Sequence, residues 1–124
     1  MRIVIDLDGT ICALRKGGET YSTVRPLPGA IEKLKALKQE GHYLIIYTAR
    51  HMKTCNGDIK KVLEKMETIT RDWLAEHAVP FDELVFGKPY GDLYIDDLAY
   101  TFTTWEDVDL DKTVNRLKTK GNDS

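Results

Sequence analysis

The chain has 124 residues, enough for one domain with a core that needs no disulfide or metal staple. Apolar residues make up 42% and charged residues 31%, with 18 basic side chains against 20 acidic ones for a net charge of −2. That balance excludes a disordered or fibrous chain and argues against a nucleic-acid binder that works through a basic field.

The segments alternate between strand-like and helix-like patterns. Ile3-Val4-Ile5 is a β-branched run ending at Asp6. Ile11–Leu14 and Thr20–Val24 flank Arg15-Lys16-Gly17-Gly18-Glu19, a hairpin signal, so residues 11–25 are expected to form a β-hairpin flap over whatever site the first strand ends in. Ala30, Ile31, Leu34 and Leu37 form a helical stripe between Pro28-Gly29 and Gly41. Tyr43–Tyr47 is a buried-type strand ending at Thr48. Ile59, Val62, Leu63, Met66, Ile69, Trp73 and Leu74 mark an amphipathic helix over about Asp58–His77, stopped by Pro80. Glu83–Phe86 and Leu93–Ile95 read as third and fourth strands. A short strand near Ala99–Phe102 and a helix over about Thr104–Lys118 follow, with acids at Glu106–Asp111 enriching the start of that helix. Residues 121–124 are expected to fray.

Strand–helix alternation predicts an α/β fold: a three-layer, doubly wound, Rossmann-like parallel sheet with a short β-hairpin flap and no large cap domain, one domain over residues 1–124. No apolar run approaches the ~20 residues of a membrane span. The opening Met1–Asp6 reaches a charged group too early for a signal-peptide core. With Cys12 and Cys55 far apart, the expectation is a cytoplasmic chain with reduced thiols and no membrane partner.

In such sheets ligands bind beyond the carboxyl ends of the strands. The polar residues follow that rule: Asp6 and Asp8 after the first strand, Thr48 at the end of the second, Lys88 just past the third, and Asp96-Asp97 after the fourth. Residues two apart on a strand share a side, so Asp6 and Asp8 converge, and Gly9 lets the backbone turn beside them. Several carboxylates together repel unless a cation intervenes, and an oxygen-only donor set with neither His nor Cys favours Mg²⁺. Lys88 and Thr48 fit a phosphoryl group bound beside that ion, supplying charge and a donor. Standing alone, Lys88 reads as a surface lysine, Thr48 as a strand-end hydroxyl and Asp96-Asp97 as a turn. Their order is what gives them chemical meaning.

Asp6-Leu7-Asp8-Gly9-Thr10, Thr48-Ala49-Arg50, Lys88 and Tyr94-Ile95-Asp96-Asp97 resemble, in order, the four signature motifs of the haloacid dehalogenase superfamily. The first motif alone arises by chance in about one chain in a thousand at ordinary residue frequencies. The small size and the hairpin in place of a cap are similar to the capless members, and the overall sequence is similar to a bacterial group linked to capsular polysaccharide synthesis. The resemblance implies a Mg²⁺-dependent phosphomonoester hydrolase. Asp6 would be the nucleophile forming an aspartyl-phosphate, and Asp8 the acid–base, with its backbone carbonyl on the metal. Thr48 and Lys88 would hold the phosphoryl oxygens, with Gly9, Thr10, Ala49 and Arg50 lining the substrate side. Asp6, Asp8, Asp97 and Asp96 would form the metal site, Asp97 directly and Asp96 through water, or the reverse.

Arg50, His51 and Lys53 follow the second motif and are candidates to touch substrate, and Arg15 and Tyr21 in the flap are candidates to gate it. The expected partner is a small-molecule or saccharide phosphoester, with nucleic acid unexpected. A homo-oligomer is one way to enclose an uncapped site. Two other readings compete. A phospho-accepting receiver carries similar residues but places its acidic pair first and its acceptor Asp after the third strand, the opposite of this order. An inactive phosphate- or sugar-binding module would have no need of all four motifs intact.

Overall fold

The computed structural model describes residues 1–50, 52 and 59–113. The side chains of Ile59, Val62 and Leu63, the start of the second helix at Asp58, Cys55, His51, Lys53, residues 114–118 of the last helix and the tail at 121–124 lie outside them. Met1–Tyr90 and Gly91–Ser124 form two compact units.

In the first unit the chain runs β1 (Arg2–Asp6), α1 (Ala30–Gln39), β2 (Tyr43–Thr48), α2 (Ile59–Glu76) and β3 (Glu83–Phe86). The three strands form one parallel sheet in the order β1-β2-β3, with Ile5 opposite Ile46, Asp6 opposite Tyr47 and Thr48 opposite Phe86. The middle strand is buried on both faces at Leu44, Ile45 and Ile46, which is why it reads as an unbroken apolar run. Leu34 and Leu37 of α1 and Met66, Trp73 and Leu74 of α2 complete the core, each side chain contributing roughly 1.5–3 kcal/mol on burial. The α/β class, the parallel sheet and the small size without a large cap are as the sequence implies.

Both helices end in the same way. At α1, Gly41 turns left-handed at φ 89°, Gly41 N–H donates to Lys38 O, and His42 N–H donates to Leu37 O, a closure that satisfies the last carbonyls. At α2 the same two bonds run from Ala78 to Ala75 and from Val79 to Leu74, but the left-handed residue is Ala78 at φ 54°. The helix therefore stops before Pro80, and Pro80 only prevents its resumption. The stripe on α2 also differs from the expected one. Ile69 is 40% exposed, while Thr70 is fully buried in line with Met66, Trp73 and Leu74.

Residues 11–25 do not make the expected hairpin. Antiparallel pairing is confined to the base, where Leu27 N–H donates to Ile11 O, Ala13 N–H donates to Arg25 O, and Cys12 bridges Pro26. The second arm is thus Arg25–Leu27 rather than Thr20–Val24, whose hydroxyls bend the chain instead: Thr20 N–H and Thr23 Oγ1 bond each other's segment in a tight turn. The loop is held down by Trp73, whose indole Nε1 donates to Val24 O at 2.8 Å.

In the second unit, neither Leu93–Ile95 nor Ala99–Phe102 is a strand. Runs of three or four residues offer few ladder bonds, and the Asp96 carboxylate takes the Leu98 N–H at 2.7 Å in a local turn that competes with pairing. The expected helix from Thr104 is a turn closed by Trp105 O and Thr104 O, and helix begins only at residue 110, capped by Asp109 Oδ1 accepting from Lys112 N–H. Among the described residues no helix is long and apolar enough to cross a membrane.

Two stability measurements follow from these contacts. A left-handed conformation costs a non-glycine residue roughly 1–2 kcal/mol, partly offset by the freedom glycine has when unfolded. Ala78→Gly is therefore expected to stabilise the chain by about 0.5–1 kcal/mol, read as a higher denaturation midpoint at unchanged slope. Asp82, just before β3, accepts from Lys38 Nζ at 2.7 Å and from Leu44 N–H at 2.7 Å, tying α1, β2 and β3 together. The Lys38 ammonium and then the Leu44 N–H hold its carboxyl below the usual carboxylate value. A group depressed in the folded state stabilises above its unfolded pKa, roughly 3.9. Asp82→Ala should lower Tm at neutral pH, and the gap from the parent should close as pH falls through the carboxylate range.

Candidate active site

The carboxyl ends of the three strands lie side by side because the register is in step, and backbone bonds extend it past each end: Leu7 N–H donates to Tyr47 O and Lys88 N–H to Thr48 O. Beyond β1 the chain curls into a single turn in which Leu7 O accepts from Ile11 and Cys12. Gly9 makes that turn at φ 85°, and a Cβ there would stand 3.3 Å from Leu14 Cδ2.

This geometry brings Asp6, Asp8, Thr48, Arg50 and Lys88 together and gives each carboxylate its own cation. Lys88 Nζ lies 3.3 Å from Asp6 Oδ1. Arg50 Nε donates to Asp8 Oδ1 at 3.0 Å and Oδ2 at 3.2 Å, and the Thr48 hydroxyl donates to Asp8 Oδ2 at 3.0 Å. Partial burial raises the Asp6 carboxyl above its ordinary value, with Lys88 pulling it down and the Asp8 charge pushing it up. The Asp6 side chain keeps about a third of its surface exposed, whereas the Arg50 side chain has none.

Arg50 was a candidate to touch substrate; its guanidinium instead faces inward. Nη1 donates to the Thr70 hydroxyl at 3.0 Å, Nη2 lies 3.7 Å from Cys12 Sγ, and the plane stacks 4.4 Å from the Tyr21 ring, with Arg15 4.9 Å from the same ring. Thr48 is likewise turned toward Asp8, and its hydroxyl accepts the Arg50 backbone N–H. Ala49 packs on the Met52, Met66 and Phe86 cluster, as does Tyr21. Gly9 N–H donates to Cys12 O, and Thr10 N–H to Leu7 O. Asp96 and Asp97 belong to the second unit.

Sequence reasoning missed Thr70 and Cys12. The signal for Thr70 was a hydroxyl on an otherwise apolar helical stripe, since a buried hydroxyl needs a partner. Cys12 carried none beyond its nearness to Asp8.

For the metal, the donors at the end of β1 are carboxylate and carbonyl oxygens, the set that suits a hard divalent cation. Among the described residues no group of three or more His, Cys, Asp or Glu side chains gathers as a complete metal site. Cys12 is fully buried, and burial with the neighbouring Asp8 charge pushes its thiol up to about 12. In a Cys55→Ser background, Cys12 is expected to resist a thiol-specific disulfide reagent at pH 8 until denaturant is added, then react stoichiometrically; labelling of the folded protein would contradict this packing.

No curated protein matches the chain. A crystal structure of a protein from Vibrio cholerae is 30% identical over 96% of this chain and 98% of that one, with a TM-score of 0.82. A chain of the Pnkp1/Rnl/Hen1 RNA repair complex shares the fold at 23% identity and a TM-score of 0.51, over 78% of this chain and 29% of that one. The model of the haloacid dehalogenase-like hydrolases matches residues 3–70, the stretch that holds Asp6, Asp8, Thr48 and Arg50. The chain belongs to the haloacid dehalogenase-like hydrolase family.

Proposed function

We propose that the protein is a Mg²⁺-dependent phosphomonoester hydrolase working through an aspartyl-phosphate. The observation that carries the reading is the unequal treatment of the two carboxylates. Asp6 is partly exposed and paired with the Lys88 ammonium at one oxygen, while Asp8 is gripped at both oxygens.

Asp6 is the nucleophile. One carboxylate oxygen forms a bond to phosphorus as the bond from phosphorus to the ester oxygen breaks. Asp8, having taken up a proton from solvent before the ester is cleaved, gives it to the departing alkoxide, then takes one from the water that attacks phosphorus and frees inorganic phosphate and Asp6. Lys88, 3.3 Å from Asp6 Oδ1, offsets part of the phosphoryl charge and so reduces repulsion between nucleophile and substrate. Thr48 donates to a phosphoryl oxygen when its hydroxyl turns from Asp8. The backbone around Gly9, Thr10 and Ala49 lines the approach.

The residues proposed to hold the metal are Asp6 and the Asp8 carbonyl, with Asp97 direct and Asp96 through water on the strength of motif order in the family. When bound, the ion supplies positive charge to the phosphoryl oxygens. The substrate class proposed is a sugar phosphate or a phosphate carried on a polysaccharide, linked to capsule synthesis as the sequence resemblance implies, in the cytoplasmic setting expected from the cysteine usage. With a loop in place of a cap, selection falls to residues 14–24 and to any second copy that closes over the site.

Turnover of a phosphomonoester panel, sugar phosphates and nucleoside monophosphates included, tests this. Asp6→Asn is expected to abolish phosphate release and Asp8→Asn to cost at least ~100-fold. Chelation with EDTA should stop turnover and added Mg²⁺ should restore it. Retained activity in Asp6→Asn would remove the nucleophile from the account.

A further inference from the structure

We propose that Arg50 is a positioning residue: anchored on Thr70 and stacked on Tyr21, it fixes the Asp8 carboxyl group in the orientation from which, once protonated, it hands its proton to the departing alkoxide. This rests on the acid–base reading of Asp8.

Each nitrogen of the guanidinium, and one of its faces, meets a different residue. Nε faces Asp8 at the end of β1, Nη1 faces Thr70 on α2, Nη2 faces Cys12, and the flat face meets Tyr21 from the loop. A planar fork held on three sides cannot rotate without losing all of them. With its side chain wholly buried, Arg50 acts through Asp8 rather than on a ligand. Its backbone contributes to the same end: Arg50 N–H donates to Thr48 Oγ1, which donates to Asp8 Oδ2. The carboxylate is thus fixed from both oxygens by one residue, directly and through Thr48.

Thr70 is the remote end of this chain of bonds. Its burial among Met66, Trp73 and Leu74 places a hydroxyl where an aliphatic group would pack as well, and the Arg50 contact accounts for it. Orientation matters because proton transfer requires hydrogen-bond reach, and small misplacements cost rate steeply.

The test compares the burst of alcohol released in the first turnover from an alkyl phosphate, whose leaving group needs a proton, and from p-nitrophenyl phosphate, whose leaving group does not. Thr70→Val, nearly isosteric, is expected to lose about tenfold more burst rate on the alkyl ester than on the aryl ester at unchanged KM, and Thr70→Ser to recover it. Arg50→Lys, lacking the fork, should show a selective loss of about 100-fold. Asp8→Asn is the reference and should show the same selectivity.

Equal losses on both esters, or none, in the Thr70 and Arg50 variants beside a selective Asp8→Asn overturn the positioning role and leave the phosphatase reading standing. An Asp8→Asn that loses equally on both esters overturns the acid–base reading and the inference with it. Should Thr70→Val fail to fold by circular dichroism, Arg50→Lys decides by the same ratio.

Discussion

The site is organised by the repulsion between two carboxylates that β1 and its turn set close together. Two like charges in a half-buried place repel, and a counter-charge beside each offsets that repulsion. The fold solves this with two cations of different kinds. Lysine reaches Asp6 from just past β3 as a flexible point charge, and arginine reaches Asp8 from just past β2 as a rigid fork. The pairing follows from the register. Because Asp6, Thr48 and Phe86 end their strands nearly in step, the residues immediately following all arrive at the same rim.

That rim is the part of the molecule most legible in the sequence. Strand ends marked by Asp6, Thr48 and Phe86 needed only short apolar runs and the rule that parallel strands share a direction. Features that depended on one side chain capturing another were not legible. Nothing local distinguishes Ala78 as a left-handed stop, since the signal for such a residue is normally glycine. The Gly17-Gly18 hairpin signal was overridden by Thr20–Thr23, whose hydroxyls made a turn where an arm was expected. In the second unit, Asp96 did the same to the run that precedes it. In each case a short polar side chain offered the backbone a nearer partner than a strand could.

The loop over residues 14–24 has consequences beyond its shape. A hairpin would stand off from the sheet as an independent flap, whereas this loop is pinned at Val24 by Trp73 and stacked at Tyr21 on Arg50. Its packing is therefore part of the packing of α2, and a movement of Tyr21 would withdraw one face of the group that orients Asp8. The loop chosen from sequence as a gate is joined to the chemistry through Arg50, a residue the same reasoning had pointed outward.

The charge count at the rim bears on what else the site needs. Asp6 and Asp8 contribute two negative charges, and Lys88 and Arg50 two positive ones. Arg50 is wholly engaged by Asp8, with its side chain out of contact with solvent, so it has nothing to give to an incoming anion. Of these four groups Lys88 is the one that, on the proposed reading, turns its charge to a phosphomonoester, beside Asp6 as the proposed nucleophile. One ammonium offsets only part of a phosphoryl dianion's charge. On the proposed reading a further positive charge would supply the rest, and among carboxylate and carbonyl oxygens a hard divalent cation is the form that suits the donors.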